Sequence, residues 1–67
     1  MTLISAPTLL NADALARQRH LRPDQWLYVP SSDRLDVRRA LLAGRQHGVP
    51  TDLVGDFSDE ERRQLLG

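Results

Sequence analysis

The sequence predicts an α/β fold: a small, three-stranded and probably parallel sheet with three helices in the order β-α-β-α-β-α. Two observations predict it. A short apolar run recurs three times, as Thr2–Ser5, Gln25–Val29 and Asp52–Gly55. Each run is followed by Pro, Ser or Asp and then by a stretch of helical spacing: Ala6-Pro7-Thr8, Pro30-Ser31-Ser32-Asp33 and Asp56-Phe57-Ser58-Asp59. Strands alternating with helices at this interval imply crossover connections, and therefore parallel pairing.

After the first run, Pro7 suits a first helical turn because its missing N–H is unneeded there. Leu10, Ala14, Arg17 and Leu21 then recur at helical spacing, with Leu15 and Ala16 widening the stripe. Asn11 as N-cap is the alternative start. Arg22-Pro23 ends the helix, since a residue before proline is pushed out of the helical region. In the second run Trp26, Tyr28 and Val29 favour a half-buried strand, and Pro30 interrupts its ladder. Trp26 and Tyr28 lie two apart and so share one face. One helical turn over Pro23–Trp26 is the competing assignment.

Ser31, Ser32 and Asp33 are three consecutive N-cap residues before an unbroken helical stretch from Arg34 to Ala43. Val37, Ala40, Leu41 and Gly44 share one side of that helix, while Leu35 and Leu42 lie on another, which gives it apolar surface for two neighbours. Gly44 either ends the helix or permits close packing, and Gly48 is the later stop. Leu53-Val54-Gly55 is short for a strand, and Thr51–Val54 after Pro50 also reads as a helical turn. Ser58 and Glu61 form a capping box for the last helix, whose first turn carries Asp59, Glu60 and Glu61 at the positive dipole end, with Arg62 and Arg63 following.

At 67 residues the chain is one small domain, possibly a subunit in or a fragment of a larger assembly. A chain this short buries only about 60% of the surface it exposes when unfolded. It has no cysteine to staple it, and its two histidines, His20 and His47, do not make a zinc site alone. Burial against a second copy or a larger protein is the remaining route to stability. Nine acidic and nine basic residues cancel, which removes any net attraction to nucleic acid or an anionic membrane. All nine basic residues are arginine, a pattern explained either by codon bias or by the fit of the guanidinium fork to carboxylates and phosphates. The first ten residues lack a signal-peptide pattern, and no run is long enough to span a bilayer, so a cytoplasmic protein without membrane contact is expected.

No motif carries a reaction. The nucleotide-cradling glycine loops are absent, and no nucleophile elbow orders Ser5, Ser31, Ser32 or Ser58 with a histidine. No catalytic residue, cofactor or metal is expected; Asp56 beyond the third strand is a lone carboxylate. The leading functional expectation is a non-enzymatic interaction module that associates through apolar faces, with Trp26, Tyr28, Val37 and Leu41 as interface residues. A second is an anion or nucleotide binder, with Ser31, Ser32 and Asp33 at the strand–helix turn where open α/β sheets hold ligands. The segment from Ser32 to Leu66, two helices joined by Gly48–Val54, is similar to the helix, extended loop, helix modules of the LEM, SAP and peripheral-subunit-binding type. It departs from them in lacking a glycine-rich loop and a basic final helix. That resemblance implies an all-α three-helix alternative and a nucleic-acid-binding use of Arg38, Arg39, Arg45, Arg62 and Arg63.

Overall fold

The computed structural model describes residues 1–66 of the chain, and they fold as β1 (Thr2–Ala6), α1 (Leu9–Gln18), a 3₁₀ turn (Pro23–Gln25), β2 (Trp26–Pro30), α2 (Arg34–His47), β3 (Thr51–Leu53) and α3 (Asp59–Leu66). The three strands form one parallel sheet in the order β2-β1-β3. Thr2 pairs with Trp26 and Ala6 with Pro30 on one side of β1, and Leu3 with Thr51 and Ser5 with Leu53 on the other. The connection between the two long helices is therefore part of a sheet, which removes the all-α alternative and the helix, extended loop, helix resemblance. Placing β1 in the centre makes the chain reverse direction across the sheet after β2. The two crossover helices consequently cover opposite faces.

The register sorts the side chains. Ile4 and Ala6 turn toward α1, where they pack with Ala12 and Ala16 and are flanked by Leu15, Leu21, Trp26, Tyr28 and Val54. The opposite face holds Val37, Leu41, Leu53 and Phe57, with Val29 and Leu65 at their margin. Trp26 and Tyr28 thus share a face, as alternation requires.

Several boundaries differ from the sequence reading: β1 runs on to Ala6 and β2 to Pro30, which pair with each other, and the others differ for local reasons. The α1 N-cap is Thr8, whose Oγ accepts the Asn11 N–H at 3.2 Å, so neither Pro7 nor Asn11 opens the helix. The buried stripe of α1 is Ala12 and Ala16 rather than Leu10, Ala14, Arg17 and Leu21, because small side chains allow the helix to approach Trp26 and Tyr28 closely; Leu10 is 80% exposed. The helix stops at Gln18, and His20 takes φ +59°, which lets the Leu21 N–H reach the Ala16 carbonyl at 2.8 Å and seats Leu21 on the core. The β3 segment starts one residue before and ends two residues before the expected Asp52–Gly55, since Gly55, at φ +93°, already turns toward α3. Around Pro23 both sequence assignments are realised in succession, a 3₁₀ turn and then a strand that starts at Trp26 instead of Gln25.

Helix α2 follows its pattern. Asp33 is the N-cap, Val37, Leu41 and Gly44 are buried, and Gly48 closes the helix in the left-handed region at φ +68°. Gly44 is a close-packing position: a Cβ there would stand 2.8 Å from the Val49 carbonyl oxygen.

Ser5, in the middle of the central strand, is fully buried and its Oγ has no hydrogen-bond partner among the described residues. A desolvated hydroxyl without a partner is a net cost to folding. Ser5→Ala is therefore expected to raise unfolding free energy by about 0.5–1 kcal/mol in urea titrations. A loss of stability in that experiment would mean that the hydroxyl has a partner in solution.

Candidate functional site

In a parallel sheet the carboxyl ends of all strands meet at one edge, and here Pro30-Ser31, Ala6-Pro7 and Val54–Asp56 arrive together. The side chain that organises this edge is Arg34, in the first turn of α2. Its Nε donates to Glu61 Oε2 at 2.7 Å and one Nη to Glu61 Oε1 at 3.1 Å, a bidentate pair that joins α2 to α3. The same guanidinium donates to the carbonyl oxygens of Ser31 and Asp56, lies 3.7 Å from Asp56 Oδ2, and stacks 4.1 Å from the centre of the Phe57 ring. Ser31 is fully buried, and its Oγ donates to Asp56 Oδ1 at 3.0 Å. Five residues, from two strand–helix connections and the helices that follow them, are thereby held in one polar knot.

Paired planar forks are the strongest ion pairs a surface can build. The Glu61 hydrogen bond is the main cause that raises the Arg34 pKa above its ordinary value; partial burial opposes it, and the charges of Glu61 and Asp56 add to it. A group whose folded pKa is raised contributes fully below its unfolded pKa and loses that contribution only as pH climbs through the folded one. For an arginine that window lies far above neutrality, so its own titration brings no pH dependence near pH 7.

This geometry decides how each sequence-predicted residue is used. Asp33 accepts the N–H groups of Leu35 and Asp36 at 3.1 and 3.2 Å, so the α2 N-terminus already holds a carboxylate where an anion would sit. Ser31 turns inward to Asp56, and only Ser32 is left exposed and outside the hydrogen-bonded network. Val37 and Leu41 lie in the interior against Leu53 and Phe57, while Trp26 and Tyr28 are half-buried beside α1. The capping box at α3 is half made. The Glu61 N–H donates to Ser58 Oγ at 3.1 Å, but the Glu61 carboxylate reaches Arg34 instead of returning to the helix end.

Of the five arginines named for nucleic acid, Arg45 donates to the Leu65 and Leu66 carbonyls at 3.2 and 2.7 Å and so closes the end of α3. Arg38, Arg39 and Arg63 are exposed and Arg62 half-buried, spread over α2 and α3 rather than gathered in one stripe. Both histidines are exposed at helix ends, His47 closing α2 and His20 just beyond α1. No group of three or more His, Asp or Glu among the described residues is placed to hold a metal, and no described helix is long and apolar enough to cross a membrane.

Comparison with known proteins finds no matching family model, no matching curated protein and no matching solved structure.

Sequence reasoning missed Arg34, Glu61 and Phe57. The signal available was weak: an arginine directly after an N-cap, and an acidic residue 27 positions later. Only the β2-β1-β3 order brings the two together.

Proposed function

We propose that this chain is a non-enzymatic association module that presents apolar helix surface to a protein partner. One observation carries the reading. Among the described residues seven large apolar side chains are half or more exposed (Met1, Leu9, Leu10, Leu27, Leu35, Leu42 and Leu66), whereas only five larger than alanine are buried (Ile4, Val37, Leu41, Leu53 and Phe57). A single exposed leucine is ordinary on a protein surface. Leu35 and Leu42, however, lie two turns apart on one side of α2, opposite a stripe that already fills the core.

The carboxyl edge lends less support to the anion-binding reading, because Asp33 and Glu61 already satisfy the helix end and the arginine that would hold an anion. The sheet edges also argue for helix-mediated contact. Ser31 donates its N–H to the Ala6 carbonyl at 3.0 Å, so alternation turns the backbone of Trp26, Tyr28 and Pro30 outward, and Pro30 has no N–H to offer an added strand. The other edge, β3, is three residues long. Short and proline-bearing edges discourage strand addition.

The test places a photo-reactive phenylalanine at Arg39, beside Leu35 and Leu42, or at Ala14 on the opposite face, in the full chain expressed in its source cells. A defined protein adduct from either position, reproducible by mass spectrometry, is the expected result. A natively folded chain that yields no adduct from either position contradicts the reading.

A further inference from the structure

If the chain associates through apolar helix surface, as proposed above, charge selects which surface binds and what it takes. A groove of about 370 Å³ runs between α2 and α3, lined by Arg38, Leu41, Leu42, Arg45, Gln64 and Leu65. Arg38, Leu42 and Arg45 follow at i, i+4 and i+7 along α2, so one wall is a leucine between two arginines. Leu65 forms the facing wall. Arg38 is exposed and makes no ion pair among the described residues, and Arg45 spends its bonds on carbonyl groups, which are neutral. The groove therefore combines an apolar floor with two arginines at its rim that no carboxylate of the described residues pairs, Arg45 meeting only the partial charge of the carbonyls that end α3.

We infer that this groove is the docking site of an acidic amphipathic helix from a partner protein, with a leucine-type anchor set between Leu42 and Leu65 and carboxylates meeting Arg38 and Arg45. Helix-in-groove recognition of this kind reads anchors at i, i+3 or i+4 and i+7, and a charged rim of one sign selects the opposite charge. A second groove is larger, about 590 Å³ between α1 and Val54, but its arginine, Arg17, is already paired with Asp13 at 2.9 Å and its rim selects no charge. A second copy is a poorer occupant. A stable dimer buries about 800 Å² on each partner, roughly a sixth of the 4682 Å² surface here, and the exposed leucines are scattered over α1 (Leu9, Leu10), β2 (Leu27), α2 (Leu35, Leu42) and α3 (Leu66) instead of forming one patch of that size. Nucleic acid has no use for the leucine floor, and the net charge of zero does not attract it.

The experiment is a ¹⁵N chemical-shift titration of the intact 67-residue chain with four probes. These are helical peptides bearing leucine at i, i+4 and i+7 with glutamate flanks, the same peptides with lysine flanks, a short DNA duplex, and the chain itself at rising concentration. Expected are saturable shifts at Arg38, Leu42, Arg45, Gln64 and Leu65 with the glutamate peptides alone. Arg38→Glu, which removes an exposed side chain without internal bonds, is expected to weaken that binding at least about tenfold and to shift preference toward the lysine peptides. Binding of DNA, shifts on self-concentration at these residues, equal binding of both peptide charges, or no shift in the groove overturns the inference. Its failure is distinguishable from failure of the association reading: an adduct from Ala14 alone keeps the module and discards this groove, whereas no adduct from either face discards the module.

Discussion

Arg34→Ala is expected to release α3 from the rest of the chain. In native-state hydrogen exchange, protection of the α3 amides should fall at least about tenfold, while β1 and α1 keep theirs, because local opening follows the contacts that hold each segment. The reason is the number of connections that meet at one side chain. Arg34 binds Glu61 through two nitrogens, donates to the Ser31 and Asp56 carbonyls, and covers the Phe57 ring. Arg34→Lys retains the charge but not the fork, so it should recover only part of the protection. No loss in α3 would show that α3 is held instead by the packing of Phe57 and Leu65 against Val37 and Leu41 of α2, and uniform loss across the sheet would show that Arg34 supports the whole fold and not α3 alone.

The second large effect belongs to Ile4, the largest side chain with no exposure, at the centre of the middle strand. Ile4→Ala is expected to cost about 3–5 kcal/mol. A domain of this size has a total stability of roughly 3–10 kcal/mol. The variant should therefore lose a large share of the parent's stability, seen as a much lower thermal midpoint by circular dichroism, while Ile4→Val, which costs about 1 kcal/mol, should unfold close to the parent. If the alanine variant kept a cooperative transition close to the parent's, the core around Ala12 and Ala16 would have to be loosely packed enough to collapse on the cavity.

Much of the architecture was legible because each strong element carries its own local signal. The Trp-Leu-Tyr-Val run ends at Pro30, Asp33 caps α2, Gly48 stops it, and Ser58 opens α3; all four act within a few residues of themselves. The misreadings came from signals that tertiary contact overrides. Leucines outrank alanines on any hydropathy pattern, yet α1 buries Ala12 and Ala16 and exposes Leu10, because closeness to two aromatic rings matters more there than side-chain size. The strand order is not written in any single segment. Neither, therefore, is the Arg34 knot, whose partners lie 22 to 27 residues apart in sequence and meet only once β3 crosses to the far side of β1. The turn from Val29 to Asp33 was visible as a place of interest, but the structure uses Ser31 and Asp33 to bind the chain to itself.

The central claim is that the exposed leucines of α2 serve association and not the fold. The double variant Leu35→Ser, Leu42→Ser tests it when it carries the photo-reactive group at Arg39. The account predicts a native ¹⁵N spectrum, an unfolding free energy within about 0.5 kcal/mol of the parent's, as for surface changes away from structural features, and loss of the protein adduct. A spectrum that collapses to the unfolded form, or an adduct that persists undiminished, would contradict it.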